Sequence, residues 1–257
     1  MSAVRDTWRM ERVRLTTVRS TYLLLATVFG VGVLVALLIA LLNPARELSQ
    51  GATAAALTAG APFLPLPPIG ALLGVLGVLV VSHDYRYGLI RAVLTAQPRR
   101  TMLFCTRLVL LGLLGAVVAT GVSLLTAGLC WVVGRPPAHD PTTLRLVGSH
   151  VVLVAAWTWL GAGLTWVMRA ATGPLALLFV MPLLVEPVLT AVAQLDQLSA
   201  LRPVVRVLPF TAGRELLSFE TARSAEAVGA VLGGALFGAY LLVLLLGSWL
   251  SLTRRDA

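Results

Sequence analysis

Residues 83–100, HDYRYGLIRAVLTAQPRR, form the one strongly polar, arginine-rich stretch in the middle of an otherwise apolar chain. Long apolar runs lie on both sides of it. Several charges at the centre of a bilayer would together cost several kcal/mol, so the stretch must lie at a membrane surface. Its arginines predict the cytoplasmic surface, because loops rich in arginine stay on that side.

The composition indicates a helical membrane protein. The chain has 257 residues, of which 58% are hydrophobic and 12% charged, whereas soluble domains carry about 25% charged residues. The apolar runs are also too long for core strands. We therefore predict an all-α membrane protein, with residues 1–257 forming a single transmembrane domain.

The charge balance points to membrane topology rather than to a nucleic-acid partner. The net charge is +9, and the 20 basic residues are all arginine. Retention of positive loops on the cytoplasmic side explains this excess without nucleic acid. The absence of lysine beside abundant Ala, Leu, Val and Gly suggests a GC-rich genome, so we expect a multi-pass protein of a bacterial plasma membrane.

Six transmembrane helices are predicted from apolar runs that can cross a hydrocarbon layer of about 30 Å. Their approximate bounds are 21–42, 67–82, 102–133, 147–168, 174–192 and 226–252. The third run is longer than a straight crossing needs, so we expect it to tilt, kink or project. Six spans place both termini in the cytoplasm, and most of the 20 arginines then fall inside.

The segments outside the spans leave alternatives open. Residues 1–20 interleave arginines with apolar side chains, which fits an amphipathic helix on the inner membrane face or a plain basic tail. Residues 43–61 are expected on the outer side of the membrane. Residues 194–225 mix arginines, prolines and a moderately apolar string, so they form either an extracellular loop or a re-entrant element.

Two packing features follow from small and aromatic residues. Gly70, Gly74 and Gly77 lie at a spacing that permits close helix contact in lipid, which we expect to serve packing within the chain. Trp166 lies near the inner end of the fourth span, a position typical of the aromatic belt at the membrane interface.

No catalytic motif is apparent, so the chain is not expected to be an enzyme. It lacks a Walker A phosphate loop, a zinc-protease H-E-x-x-H and a G-x-S-x-G nucleophile motif. His83, His139 and His150 fall at different predicted depths and form no obvious metal site. Cys105 and Cys130 lie about 37 Å apart along one predicted helix and cannot pair within the chain.

Glu186 is an ionisable residue inside the fifth predicted span, which makes it a candidate functional residue. Three interpretations are open. It could bind a cationic substrate, pair with an arginine of the outer loop, or be hydrogen-bonded around the kink expected at Pro187 without contacting substrate.

The stretch 83–100 also has two interpretations: a loop that only fixes topology, or a short helix that docks on a partner. Its sequence resembles the signature of type-2 ABC-transporter permeases, E-[YF]-R-x-G-T-[IL]-R-x-x-L-x-x-P-x-R. The corresponding positions here are Asp84, Tyr85, Arg86, Tyr87, Gly88, Leu89, Ile90, Arg91, Leu94, Pro98 and Arg100. Asp84 replaces the usual Glu and Leu89 the usual Thr. The six-span layout and the long last outer loop are also similar to this family.

The resemblance implies a membrane subunit of an ATP-driven exporter of amphiphilic substrates such as drugs, antibiotics or lipids. Two copies of a separate ABC ATPase would supply ATP and Mg²⁺ chemistry, with no cofactor in this chain. The second membrane subunit would be an identical copy or a paralogue. Residues 83–100 would be the coupling segment that contacts the ATPase.

Individual roles follow from the same resemblance. Asp84 and Arg86 would be docking charges, Tyr85 would belong to the same contact, Gly88 would allow a turn or a close approach, and Arg91 would contact the ATPase or a lipid phosphate. An alternative is a membrane scaffold or assembly factor that recruits a soluble partner through 83–100. An intramembrane enzyme acting on lipids is a third, disfavoured by the lack of paired acids.

Overall fold

A computed structural model describes residues 8–13, 19–43, 47–90, 95, 99–138, 140–217 and 229–254. Within these ranges the chain is helical apart from turns and short connections, with no strand. The helices, numbered along the chain after a helical segment at 8–13, are α1 (Arg19–Leu42), α2 (Gln50–Leu57), α3 (Pro68–Arg86), α4 (Arg100–Val132), α5 (Pro141–Met168), α6 (Thr172–Ala193), α7 (Arg202–Arg206), α8 (Pro209–Glu215) and α9 (Ala230–Arg254).

Six of these helices are long and apolar enough to cross a membrane: α1, α3, α4, α5, α6 and α9. The predicted multi-pass, all-helical fold is therefore confirmed for the described part of the chain. The main differences are at helix ends. α3 continues to Arg86, because Asp84 is buried against its neighbours. α5 begins at Pro141, where the Asp140 side chain caps the helix by accepting from the Thr143 amide.

The long fourth and the broken sixth helices have local explanations. α4 is a single helix of 33 residues, as the long apolar run predicts. α6 changes from α-helix to π-helix over Met181–Val185 and then returns to α-helix. Pro182 and Pro187 both lack the backbone N–H that continues an α-helical hydrogen-bond ladder, which favours such an interruption.

Glycines bring α3 and α5 into backbone contact at the centre of the bundle. A Cβ atom on Gly77 would collide with the Thr158 carbonyl oxygen, and one on Gly161 would collide with the Gly74 carbonyl oxygen. The predicted packing role of the α3 glycines within the chain is confirmed. Because the backbones touch, α3 and α5 form a tightly packed pair with no room for a side chain between them at these positions.

Trp166 is the clearest error among the sequence predictions. Only 1% of its surface is exposed, and its ring lies 4.6 Å from that of Phe104, centroid to centroid. The prediction of an interface position was therefore wrong. Trp166 lies on the face of α5 that meets α4, so burial between helices overrides the preference of tryptophan for the interface.

The connections outside the spans pack against the bundle. In α2, predicted to lie in an outer loop, Leu57 is buried and its carbonyl oxygen accepts a hydrogen bond of 2.8 Å from Ser123 Oγ on α4. In the described part of 194–225, α8 lies against α9. A Cβ on Gly233 would come 2.5 Å from Glu215 Cβ, which shows how closely the two helices approach. Whether this segment enters the lipid stays a prediction.

Candidate functional site

The residues of the permease-like motif lie at the end of α3. Asp84, Tyr85 and Arg86 occupy its last turn, and Tyr87 is the C-cap residue. Gly88 follows with φ of +64°, a left-handed conformation that strongly favours glycine. Arg91 lies outside the described residues. The first part of the motif is therefore helical, and the helix ends before Gly88, where the chain changes direction.

A buried ionic cluster lies directly behind this turn. We call Glu11, Asp84 and Arg107 the Arg107 cluster; each residue is 1% exposed. The Arg107 Nε and Nη2 atoms donate to Glu11 Oε1 at 2.9 and 2.7 Å, and Nη1 lies 2.5 Å from Asp84 Oδ2. One guanidinium thus joins three segments: the helix at 8–13, α3 and α4.

The cluster changes what Asp84 can do. The sequence predicts a docking charge, but the side chain points into the bundle and faces Arg107. Breaking a buried pair leaves an uncompensated charge and typically costs about 3–5 kcal/mol. The geometry fits a positioning role for Asp84, which fixes the end of α3 relative to α4.

Two further arginines hold the end of α9 at the same side of the bundle. Arg169 Nη2 donates to the Ser251 carbonyl at 3.2 Å, and its guanidinium lies 5.8 Å from the Tyr85 ring centroid. Arg100 Nη1 donates to the Leu252 carbonyl at 3.0 Å. Carbonyls in the last turn of a helix lack partners within that helix, so arginine donors stabilise them.

The turn after α3 is exposed, and we call residues 86–89 the α3 tip. Tyr87 and Leu89 are 62% and 48% exposed, and the Arg86 guanidinium lies 5.7 Å from the Tyr87 ring centroid. Buried Asp84 precedes the tip and buried Ile90 follows it. The tip therefore presents a cation, an aromatic ring and an aliphatic side chain from a fixed base.

Glu186 lies at the opposite end of the bundle and is only 3% exposed. Its Oε1 accepts from the Phe210 amide at 3.0 Å. Its Oε2 accepts from the Thr211 amide at 2.6 Å and from Thr211 Oγ1 at 2.8 Å. These amides belong to the first turn of α8, whose N–H groups lack partners within the helix. Glu186 therefore caps α8 from a neighbouring helix.

This arrangement bears on the three interpretations of Glu186. Its carboxylate is hydrogen-bonded, but the donors belong to α8 rather than to the Pro187 kink. Within the described ranges, no arginine pairs with it. Three hydrogen bonds occupy most of the acceptor capacity of a carboxylate, and the positive end of α8 offsets part of its charge. Contact with a cationic substrate stays a prediction.

Sequence reasoning singled out neither Arg107 nor Glu11. A signal was present for Arg107, because it lies about 10 Å along α4 from Arg100, inside an apolar run. A charge at that depth requires a partner. Glu11 carried no comparable signal, since nothing in residues 8–13 distinguishes it from a surface acid.

The fold and these sites define a multi-pass helical membrane protein with a buried ionic cluster at one end and a capped carboxylate at the other. In the part of the chain that the structure describes, no group of three His, Cys, Asp or Glu residues could hold a metal ion. No protein-family model matches the chain, and no curated protein is significantly similar to it.

Proposed function

We propose that the chain is the membrane-spanning permease subunit of an ATP-driven exporter of the type-2 ABC class, located in a bacterial plasma membrane. The observation that carries this proposal is the α3 tip. It is exposed at the end of a helix long enough to span the membrane, at the position where the permease-like sequence D-Y-R-Y-G-L-I-R falls. An exposed, well-anchored turn suits contact with a soluble ATPase.

Coupling in this proposal passes through α3. ATP and Mg²⁺ bind to the partner ATPase, and closure of two ATPase subunits displaces the α3 tip. The Arg107 cluster transmits this displacement to α4 and to residues 8–13, because one guanidinium holds all three segments. The backbone contact between Gly77 and Thr158 transmits it to α5. The cargo would be an amphiphile that leaves the cytoplasm or the inner leaflet.

The proposed roles of the motif residues depend on whether each side chain is exposed or buried. Arg86 is the docking cation, and Gly88 provides the turn that exposes it. Tyr85 packs beside Arg169 and supports the tip from behind. Asp84 acts as a positioning residue through Arg107, and Arg91 contacts the ATPase or a lipid phosphate. Both termini are cytoplasmic, and a second membrane subunit, identical or paralogous, completes the pathway.

The proposal is tested by affinity purification of the tagged chain from native membranes in mild detergent, followed by identification of co-purifying proteins. The informative variant is Arg86→Glu, because it reverses an exposed charge at the tip without touching the Arg107 cluster. The matched control is Arg254→Glu, which reverses another exposed arginine at the same end of the bundle.

We expect a stoichiometric P-loop ATPase with the wild-type chain and with Arg254→Glu, and its loss with Arg86→Glu. Size-exclusion chromatography confirms that each variant remains folded. Absence of any ATPase under conditions that keep the wild type folded would refute the exporter proposal. A stoichiometric partner without ATPase activity would instead favour the scaffold alternative.

A further inference from the structure

A cavity of about 390 Å³ lies at the Glu186 end of the bundle, between the last turns of α6 and the start of α8. Four of its lining residues, Pro65, Pro182, Leu183 and Pro187, are apolar, and we call them the apolar wall. The polar and charged lining residues are Glu186, Thr190, Gln194, Thr211 and Arg214. Its volume lies within the range of about 300–1,000 Å³ typical of small-molecule sites.

Arg214 is the cation of this cavity that no carboxylate neutralises within the described residues. Its Nε atom is buried and has no hydrogen-bond partner among them. A buried donor without a partner is unfavourable, so an acceptor that enters the cavity would relieve this cost. Glu186 also lines the cavity, but its charge is already directed to the amides of α8. Arg214 is therefore the charged lining residue that still has an unused donor for an anion.

The surroundings add positive charge. A second, smaller cavity of about 120 Å³ adjoins the first and shares Thr190, Gln194 and Thr211 with it. Arg202, Arg206 and Glu215 line this second cavity, so its arginines outnumber its single acid. Arginine is suited to phosphate and carboxylate groups, because its planar fork donates two parallel hydrogen bonds.

We infer that the larger cavity binds the anionic headgroup of an amphiphile, a phosphate or carboxylate, which Arg214 contacts. The apolar chain of the amphiphile lies against the wall of Pro182, Leu183 and Pro187. This site is independent of the proposed function, because its occupation requires no ATPase. The same headgroup chemistry occurs in a membrane phospholipid and in a single-chain amphiphile, and the binding experiment distinguishes them.

The experiment is a binding titration by native mass spectrometry with the purified full-length chain in the neutral detergent dodecyl maltoside. The probes are dioctanoyl phosphatidylglycerol, dodecyl phosphate, inorganic phosphate and dodecylamine. Arg214→Gln removes the proposed contact. Arg145→Gln removes an exposed arginine at the same end of the bundle that does not line this cavity, and serves as the matched control.

We expect one or both anionic amphiphiles to bind, and the tighter of the two identifies the source of the headgroup. Binding to Arg214→Gln should be at least tenfold weaker, which corresponds to about 1.4 kcal/mol, with Arg145→Gln unchanged. Leu183→Trp fills the cavity from its exposed apolar wall. It should weaken binding of the amphiphile while Arg214 remains in place.

Equal affinity of Arg214→Gln and wild type would overturn the inference, as would an equal loss in Arg145→Gln. Inorganic phosphate binding as tightly as the amphiphiles would show a free-anion site and refute the role of the apolar wall. Preferential binding of dodecylamine would show that the cavity binds cations rather than anions, and would assign the contact to Glu186. Each outcome is read on variants that elute as folded protein in size-exclusion chromatography.

Discussion

The two ends of the bundle bury carboxylates in different ways. In the Arg107 cluster, two carboxylates share one guanidinium, and the three residues come from three segments. At the other end, Glu186 is compensated by the amides and hydroxyl of a single short helix, α8. One solution requires an opposite charge from elsewhere in the chain, whereas the other requires only a helix N-terminus.

The difference has mechanical consequences. Because the Arg107 cluster joins 8–13, α3 and α4, loss of one member removes a connection and also leaves buried charges without compensation. Loss of the Glu186 carboxylate leaves the Phe210 and Thr211 amides without an acceptor, but it affects mainly the contact between α6 and α8. We therefore expect a global effect at the first site and a local effect at the second.

The largest effect is expected for Arg107→Met. The substitution leaves Glu11 and Asp84 buried without their cation, and removal of one partner of a buried pair costs about 3–5 kcal/mol. We expect a marked drop in the midpoint of thermal unfolding, measured in detergent by tryptophan fluorescence, together with lower recovery of folded protein.

The control for this prediction removes all three charges. A triple variant that combines Arg107→Met with Glu11→Gln and Asp84→Asn should recover much of the lost stability, because neutral groups are far less costly to bury. If Arg107→Met alone unfolds at the wild-type temperature, the two acids do not depend on Arg107. The cluster would then not be the rigid link between the α3 tip and the bundle.

A smaller effect is expected for Glu186→Gln. The amide keeps one acceptor oxygen but loses the charge, and hydrogen bonds to charged groups contribute about 1.5–3 kcal/mol each. We expect about 2 kcal/mol of destabilisation, concentrated in α8. Faster hydrogen exchange at the Phe210 and Thr211 amides would report it, and Glu47→Gln, at an exposed position, provides the control.

The same variant tests the remaining interpretation of Glu186. If the proposed exporter is reconstituted with its ATPase, Glu186→Gln should retain substrate-stimulated ATP hydrolysis, because the carboxylate is used to cap α8. Loss of that stimulation with unchanged exchange at Phe210 and Thr211 would instead assign Glu186 to the substrate. Unchanged exchange with full stimulation would show that the charge is not needed for capping.

The spans were predictable, but the contacts between them were not. Apolar length alone identified six helices, and glycine spacing in α3 indicated its close packing. The position of Arg107 inside an apolar run indicates that it needs a partner. The sequence does not identify that partner, because Glu11 lies 96 residues away. The donors to Glu186 are mostly backbone amides, which leave no trace in residue identity. The prediction for Trp166 was wrong because the interface preference of an aromatic residue does not reveal which helix face is buried.

The smallest effect is expected at Asp140, which caps α5 much as Glu186 caps α8, but at the surface. Hydrogen bonds from the Thr143 side chain and amide, followed by one from Gln50, hold the Asp140 pKa below its usual 3.8. The charge therefore stabilises the fold above pH 3.8, and this contribution is lost as the pH falls through the lowered pKa. Asp140→Asn keeps a capping side chain without the charge. Near neutral pH the variant should therefore have a slightly lower midpoint temperature of unfolding than wild type, and this difference should disappear in acid. If the difference in unfolding temperature stays constant across this pH range, the geometry of the cap rather than its charge stabilises α5. The two capping carboxylates, Asp140 and Glu186, would then differ only in their burial.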